Sequence, residues 1–133
     1  MSLLLDTHVW IWSQEDPEQL GSHTRFRLAD PKEKLFISTI STLEIARLIQ
    51  GGLLELKGPL KVWIHRSLEL IQAHTLDLTH DIAIAAYALP SGFHKDPADR
   101  ILVATARTRN LTLVTADERI LAYPHAPCLD ARS

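Results

Sequence analysis

A single cysteine, Cys128, excludes an intrachain disulfide and any thiolate cluster, so an ion held by this chain takes oxygen or histidine ligands. Long hydrophobic runs are also missing. The longest at the N-terminus is Leu3-Leu4-Leu5, no basic segment precedes it, and nothing approaches the ~18 apolar residues of a membrane span. A soluble, cytoplasmic protein without membrane association is the expectation. There is little excess charge of either sign, with 14 Lys and Arg against 16 Asp and Glu, which argues against a generally basic nucleic-acid coat. Basic residues do gather locally at Arg25, Arg27, Lys32 and Lys34. Internal repeats and low-complexity tracts are absent. With 133 residues, 46% of them hydrophobic, the chain fits one compact domain spanning 1–133.

Short apolar runs alternate with helical patterns along the chain. Leu3 to Leu5, Leu35 to Ser38, a stretch within Ile71 to Leu78, Leu111 to Val114 and Pro127 to Leu129 read as strands. A helix follows Asp6, carrying Trp10 and Trp12, and a second passes through Arg25, Phe26 and Leu28 until Asp30-Pro31. Ser41-Thr42-Leu43-Glu44 matches a capping box, with Ser41 as N-cap, for a helix running to Gly51-Gly52. Pro59 opens the next helix through Leu60, Trp63 and Leu68, and Thr79 caps one from Ile82 to Leu89, before Pro90-Ser91-Gly92. Asp96 is a natural N-cap with Pro97 at the first helical position, which places Asp99 in the first turn of a helix reaching about Arg109. Thr115-Ala116-Asp117-Glu118 repeats the capping pattern, with Thr115 as cap of a short helix around Ile120. Alternation of this kind predicts an α/β fold, a parallel sheet with helices on both faces.

Four acids recur where strands lead into helices: Asp6, Glu44, Asp99 and Asp117. Each alone is explained as a cap or as a charge favoured by the helix dipole. Four at one rim of one sheet are less readily explained that way, because that rim is where ligands bind in α/β folds. Two carboxylates about 4 Å apart repel by roughly 4 kcal/mol at an effective dielectric of about 20, so the group needs a cation, bound protons or water between its members. Oxygen ligands select hard ions, Mg²⁺ or Mn²⁺, and such an ion serves phosphodiester hydrolysis.

In order and spacing, Leu-Leu-Leu-Asp6-Thr7-His8, Ser-Thr-Leu-Glu44, Asp96-Pro97-Ala98-Asp99-Arg100 and Thr115-Ala116-Asp117 resemble the PIN-domain family, more narrowly the VapC-type ribonuclease toxins of type II toxin–antitoxin pairs. The resemblance implies a three-layer α/β/α fold with strand order 3-2-1-4-5 and metal-dependent endoribonuclease activity on RNA. It also implies inhibition by a small cognate antitoxin and formation of a homodimer. Carried over, Asp6, Glu44, Asp99 and Asp117 are the catalytic acids. Asp6, Asp99 and Asp117 would hold Mg²⁺ or Mn²⁺, and Glu44 would orient or deprotonate the attacking water. Asp96 stays outside the quartet as a cap.

Other residues have simpler readings. The seven histidines lack zinc-ligand spacing, and His94 and Lys95 read as solvated loop residues. Arg100 reads as a surface salt-bridge partner, and the three tryptophans as core or dimer contacts. Leu48 to Trp63 fits two short helices beside a groove that an amphipathic antitoxin helix could enter, or plain internal packing. The rival to an enzyme is a non-catalytic module whose acidic pocket holds a basic partner segment. A phosphoacceptor receiver-like domain is disfavoured by the lack of a clear late lysine.

Overall fold

A computed structural model describes residues 1–90 and 92–133; Ser91, read above as part of a loop, lies outside the described residues. Five parallel strands form one sheet: β1 (Ser2–Leu5), β2 (Lys34–Ser38), β3 (His74–Leu76), β4 (Thr112–Thr115) and β5 (Cys128–Asp130). Their order is β3-β2-β1-β4-β5, as the resemblance implied. Leu4 pairs with Phe36 on one side and Leu113 on the other, so β1 is the central strand. Central position explains its unbroken leucine run, because a strand covered on both faces has no polar side to present. Leu4 joins a core with Ile82, Leu102, Leu113 and Ile120, whereas Leu3 and Leu5 join Val9, Trp10, Ile37 and Ile45 in another. Successive side chains leave a strand on opposite faces, so these clusters are the two interfaces of a three-layer α/β/α domain.

The helices are α1 (Thr7–Glu15), α2 (Ser22–Ala29), α3 (Thr39–Gln50), α4 (Leu60–Ile71), α5 (His80–Ala86), α6 (Pro97–Arg109) and α7 (Glu118–Leu121). Two capping assignments change. Helix α3 starts at Thr39 with Ser38 as N-cap, accepting from the Ile40 N–H at 3.1 Å, so Ser41 and Glu44 lie inside the helix and form no capping box. Asp117 itself caps α7, accepting from the Arg119 N–H at 2.8 Å, and Thr115 ends β4 instead. Helix α6 begins as read, with Asp96 accepting from the Ala98 and Asp99 N–H groups at 2.9 and 3.3 Å.

Trp10 is fully buried, donates to the Ser67 hydroxyl at 3.0 Å and packs 5.0 Å from the Trp63 ring. Those two tryptophans are therefore core residues. Ile49, Leu54, Leu56 and Leu60 pack partly against the same core, while Leu53 stays exposed. A cavity of about 630 Å³ opens elsewhere, lined by Leu28 and Arg25 of α2, Leu35 of β2 and Leu70 and Ile71 of α4.

Candidate active site

The chain leaves β1 for one side of the sheet and returns to its other side at β4, so the carboxyl ends of β1 and β4 flank the point where strand order reverses. Crevices open at such points. Asp6 directly follows β1, and Asp117 follows β4 with Ala116 between. A pocket of about 330 Å³ there is lined by Asp6, Glu44, Asp99 and Asp117, with Asp96, His8, Trp12, Arg47, Arg119 and Arg132 around them. All four acids singled out by sequence thus meet in one pocket. Trp12 stands at the same wall, with the Arg132 guanidinium 5.8 Å from its ring centre, and so is neither wholly core nor remote from the site.

Asp6 is held from two sides. Its Oδ1 accepts from the Thr7 N–H at 2.7 Å and its Oδ2 from the Thr115 hydroxyl at 2.7 Å. Thr115 Oγ1 in turn accepts from the Asp117 N–H at 3.0 Å, so one hydroxyl ties two acids together. Glu44 accepts from the Thr7 hydroxyl, which lies 2.9 Å from the hydroxyl of buried Ser41. Asp6 and Asp99 are both buried, and Asp117 is partly exposed and ion-paired to Arg119 at 3.2 Å.

Burial and mutual repulsion set the proton affinities. Asp99 is pushed up to about 7, first by burial and then by the charges of Asp6, Asp96, Asp117 and Glu44. Burial likewise raises Asp6 against the lowering bonds from Thr115 and Thr7, and raises Glu44 against the bond from Thr7. Asp117 is the exception: burial pushes it up, yet the side chain and N–H of Arg119 outweigh that and hold it below the usual range. Asp117 is held low because Arg119 hydrogen-bonds it directly, whereas the same guanidinium, 3.7 Å from Asp99, does not offset that acid's burial. A donor set of buried carboxylate oxygens, one retaining its proton to near neutrality, fits a hard divalent cation.

Two further residues reach the acids, and a third braces the loop beside them. His94 Nε2 lies 3.1 Å from Asp99 Oδ2, and His94, Asp99 and Asp117 each offer an atom within 4.8 Å of the others. Arg119 Nη2 reaches 3.7 Å from Asp99 Oδ2 as well as its bond to Asp117. Arg100 makes no surface ion pair among the described residues. Its Nε donates to the Ala86 carbonyl at 2.8 Å and its Nη1 to the His94 carbonyl at 3.1 Å, and the guanidinium lies over the Tyr87 ring. For Arg119 the available signal was its place two residues after Asp117, the acid it pairs.

The model of the PIN domain family matches residues 3–126. The chain is 34% identical over 124 residues to Ribonuclease VapC22 of Mycobacterium tuberculosis, covering 93% of both chains. Among solved structures it resembles VapBC2 of Rickettsia felis, bound to a promoter DNA fragment, with a TM-score of 0.68 at 17% identity over 97% of this chain and 98% of that one. A toxin–antitoxin complex of Klebsiella pneumoniae gives a TM-score of 0.66 at 18% identity over 98% of each chain. FitAcB of Neisseria gonorrhoeae gives 0.62 at 24% identity over 97% of each chain.

Proposed function

The chain belongs to the PIN-domain family, in its VapC group, and on that premise we propose that it is a metal-dependent endoribonuclease hydrolysing RNA phosphodiester bonds, the toxin of a toxin–antitoxin pair. The observation that carries the reading is the gathering of Asp6, Glu44, Asp99 and Asp117 in one pocket, with Asp99 held up to about 7. Carboxylates so placed need positive charge to stay ionised together. Asp6, Asp99 and Asp117 hold Mg²⁺ or Mn²⁺ in this reading. When bound, the ion supplies Lewis acidity toward phosphate oxygens and lowers the proton affinity of attacking water. Glu44 orients that water and takes its proton, a role suited to a carboxylate whose proton affinity is raised by burial and whose orientation is fixed by the Thr7 hydroxyl. Arg47, Arg119 and Arg132 line the same pocket and suit the phosphate backbone of a single strand.

The curated relative is a ribonuclease, and several structural neighbours are toxin–antitoxin complexes, which supports an antitoxin as partner. A homodimer is part of the same proposal, supported by exposed Leu43, Ile84 and Tyr87. No helix among the described residues is long and apolar enough to cross a membrane. One observation favours a second reading, a module that binds a basic segment without turnover: the Arg119 guanidinium already pairs with Asp117, so the pocket accepts such a group. Incubating the purified chain with RNA and Mg²⁺ or Mn²⁺, with and without chelator, separates the two. Chelator-sensitive cleavage supports the enzyme, and tight antitoxin binding with no cleavage under any metal supports the module.

A further inference from the structure

His94 stands against the acid pocket on a loop fixed from several directions. Arg100, the neighbour of Asp99, donates to the carbonyls of His94 at 3.1 Å and Phe93 at 3.4 Å. The Phe93 ring packs 4.4 Å from the His94 ring and 4.8 Å from the ring of Tyr123, whose hydroxyl donates to the Pro90 carbonyl. Such clamping is excessive for a solvated loop, and it braces the backbone that sets the orientation of the imidazole.

That orientation selects a tautomer. Nδ1 accepts from the Asp96 N–H at 3.4 Å and so carries no hydrogen. Nε2 lies 3.1 Å from Asp99 Oδ2, where a lone pair would face a carboxylate oxygen but an N–H faces an acceptor. With Asp99 ionised, as ion binding requires, both ends of the ring therefore call for the Nε2–H form. The atom is buried, yet its line to Oδ2 is bent enough that it has no hydrogen-bond partner among the described residues. A buried donor left in that condition costs about 1–3 kcal/mol, which a small turn of the Asp99 carboxylate would recover.

We propose that His94 is a positioning residue for Asp99: its Nε2–H takes up Oδ2 and directs the carboxylate toward the ion, while Arg100 holds the loop that carries it. His94 is then not itself a ligand despite its closeness to Asp99 and Asp117, because a nitrogen bearing hydrogen has no lone pair to give. The inference rests on the metal-dependent reading above and adds to it a residue outside the acid quartet.

Titration of the full chain with Mn²⁺, followed by calorimetry and by pulsed EPR, tests this. His94→Ala should weaken Mn²⁺ binding by roughly 10–100-fold, the usual cost of removing a partner of a ligand. His94→Gln, whose amide N–H reaches as far as Nε2, should restore most of that loss. The EPR spectrum of the wild type should contain no coupling from directly bound nitrogen. Unchanged affinity in His94→Ala, no rescue by Gln, or a directly bound imidazole nitrogen that disappears in the variant would each overturn the proposal while leaving the metal reading intact. Absence of any Mn²⁺ binding by the wild type would overturn both. Imidazole ¹⁵N spectra of the wild type are independent of any variant's folding: an Nε2–H form supports the proposal and an Nδ1–H form overturns it.

Discussion

Thr115 and Asp6, 109 positions apart in the chain, are joined by a buried hydrogen bond of 2.7 Å from Thr115 Oγ1 to Asp6 Oδ2. The bond crosses from the end of β4 to the residue after β1, strands paired through Leu5 and Val114. It lowers the proton affinity of an acid that burial raises, so it keeps Asp6 closer to ionisation.

Replacing that hydroxyl by a methyl group of the same shape tests its weight. Thr115→Val leaves a buried acceptor unsatisfied and should cost about 1–3 kcal/mol in urea unfolding, with divalent-ion affinity reduced. Thr115→Ser should lie near the wild type in both. Equal stability of all three proteins would remove the hydroxyl from the account of Asp6.

Stability of the ion-free protein should fall as pH rises. Asp99 has a folded-state pKa of about 7 against 3.8 in its ordinary state, so the native protein keeps a proton that the unfolded chain has lost. Its contribution is full below the ordinary value and is lost as pH rises through about 7. Asp6 and Glu44 are also raised and act in the same direction, while Asp117, lowered, acts in the opposite one. Asp99→Asn removes its share: its stability should exceed that of the wild type at pH 8 by a few kcal/mol, at about 1.4 kcal/mol per pKa unit, and converge with it below the ordinary value of 3.8. Parallel pH profiles for the two proteins would contradict the assignment.

Arg119 neutralises Asp117 and part of Asp99 in the ion-free site. A divalent cation entering between those acids meets a competing positive charge. Arg119→Ala should therefore bind Mn²⁺ several-fold more tightly by calorimetry. Weaker binding in this variant would mean that the guanidinium organises the acids for the ion and does not compete with it.

Gly21 is fixed by the C-terminal segment that carries Arg132 of the pocket wall. Its N–H donates to the Ala131 carbonyl at 2.9 Å, and a Cβ added there would fall 1.9 Å from the Ser133 carbonyl oxygen and 2.4 Å from that of Arg132. Gly21→Ala should cost about 1–3 kcal/mol in thermal unfolding through displacement of backbone. The displaced segment carries Arg132 of the pocket wall, so RNA affinity should fall along with stability.

The strands and the four acids were legible because each depends on local pattern. The leucine run of β1 declares a strand covered on both faces, and Asp96-Pro97 declares the start of α6. Capping registers were less so. Ser38 and Ser41 are both acceptable caps three residues apart, and the choice of Ser38 follows from where β2 ends in the sheet. That shift strengthens the case for Glu44, which has no capping role to explain it. The strand order rested on family resemblance, since local pattern does not specify which strands become neighbours. Arg100 and His94 were misread for one reason: their partners are the Ala86 carbonyl and the Asp99 carboxylate, whose positions depend on how α5 and α6 pack. Arg119 was overlooked because pairing with Asp99 requires β4 and α6 to be neighbours first.

The central claim is that Asp99 and its three companions form one metal-dependent hydrolytic site. Cleavage of RNA by the wild type and by Asp99→Asn, both verified as folded, in Mg²⁺ or Mn²⁺ with and without chelator, tests it most directly. The account predicts cleavage that chelator abolishes in the wild type and a loss of at least about 100-fold in Asp99→Asn, the scale expected when a preorganised charge at the reacting centre is removed. Full activity in a folded Asp99→Asn protein would contradict it.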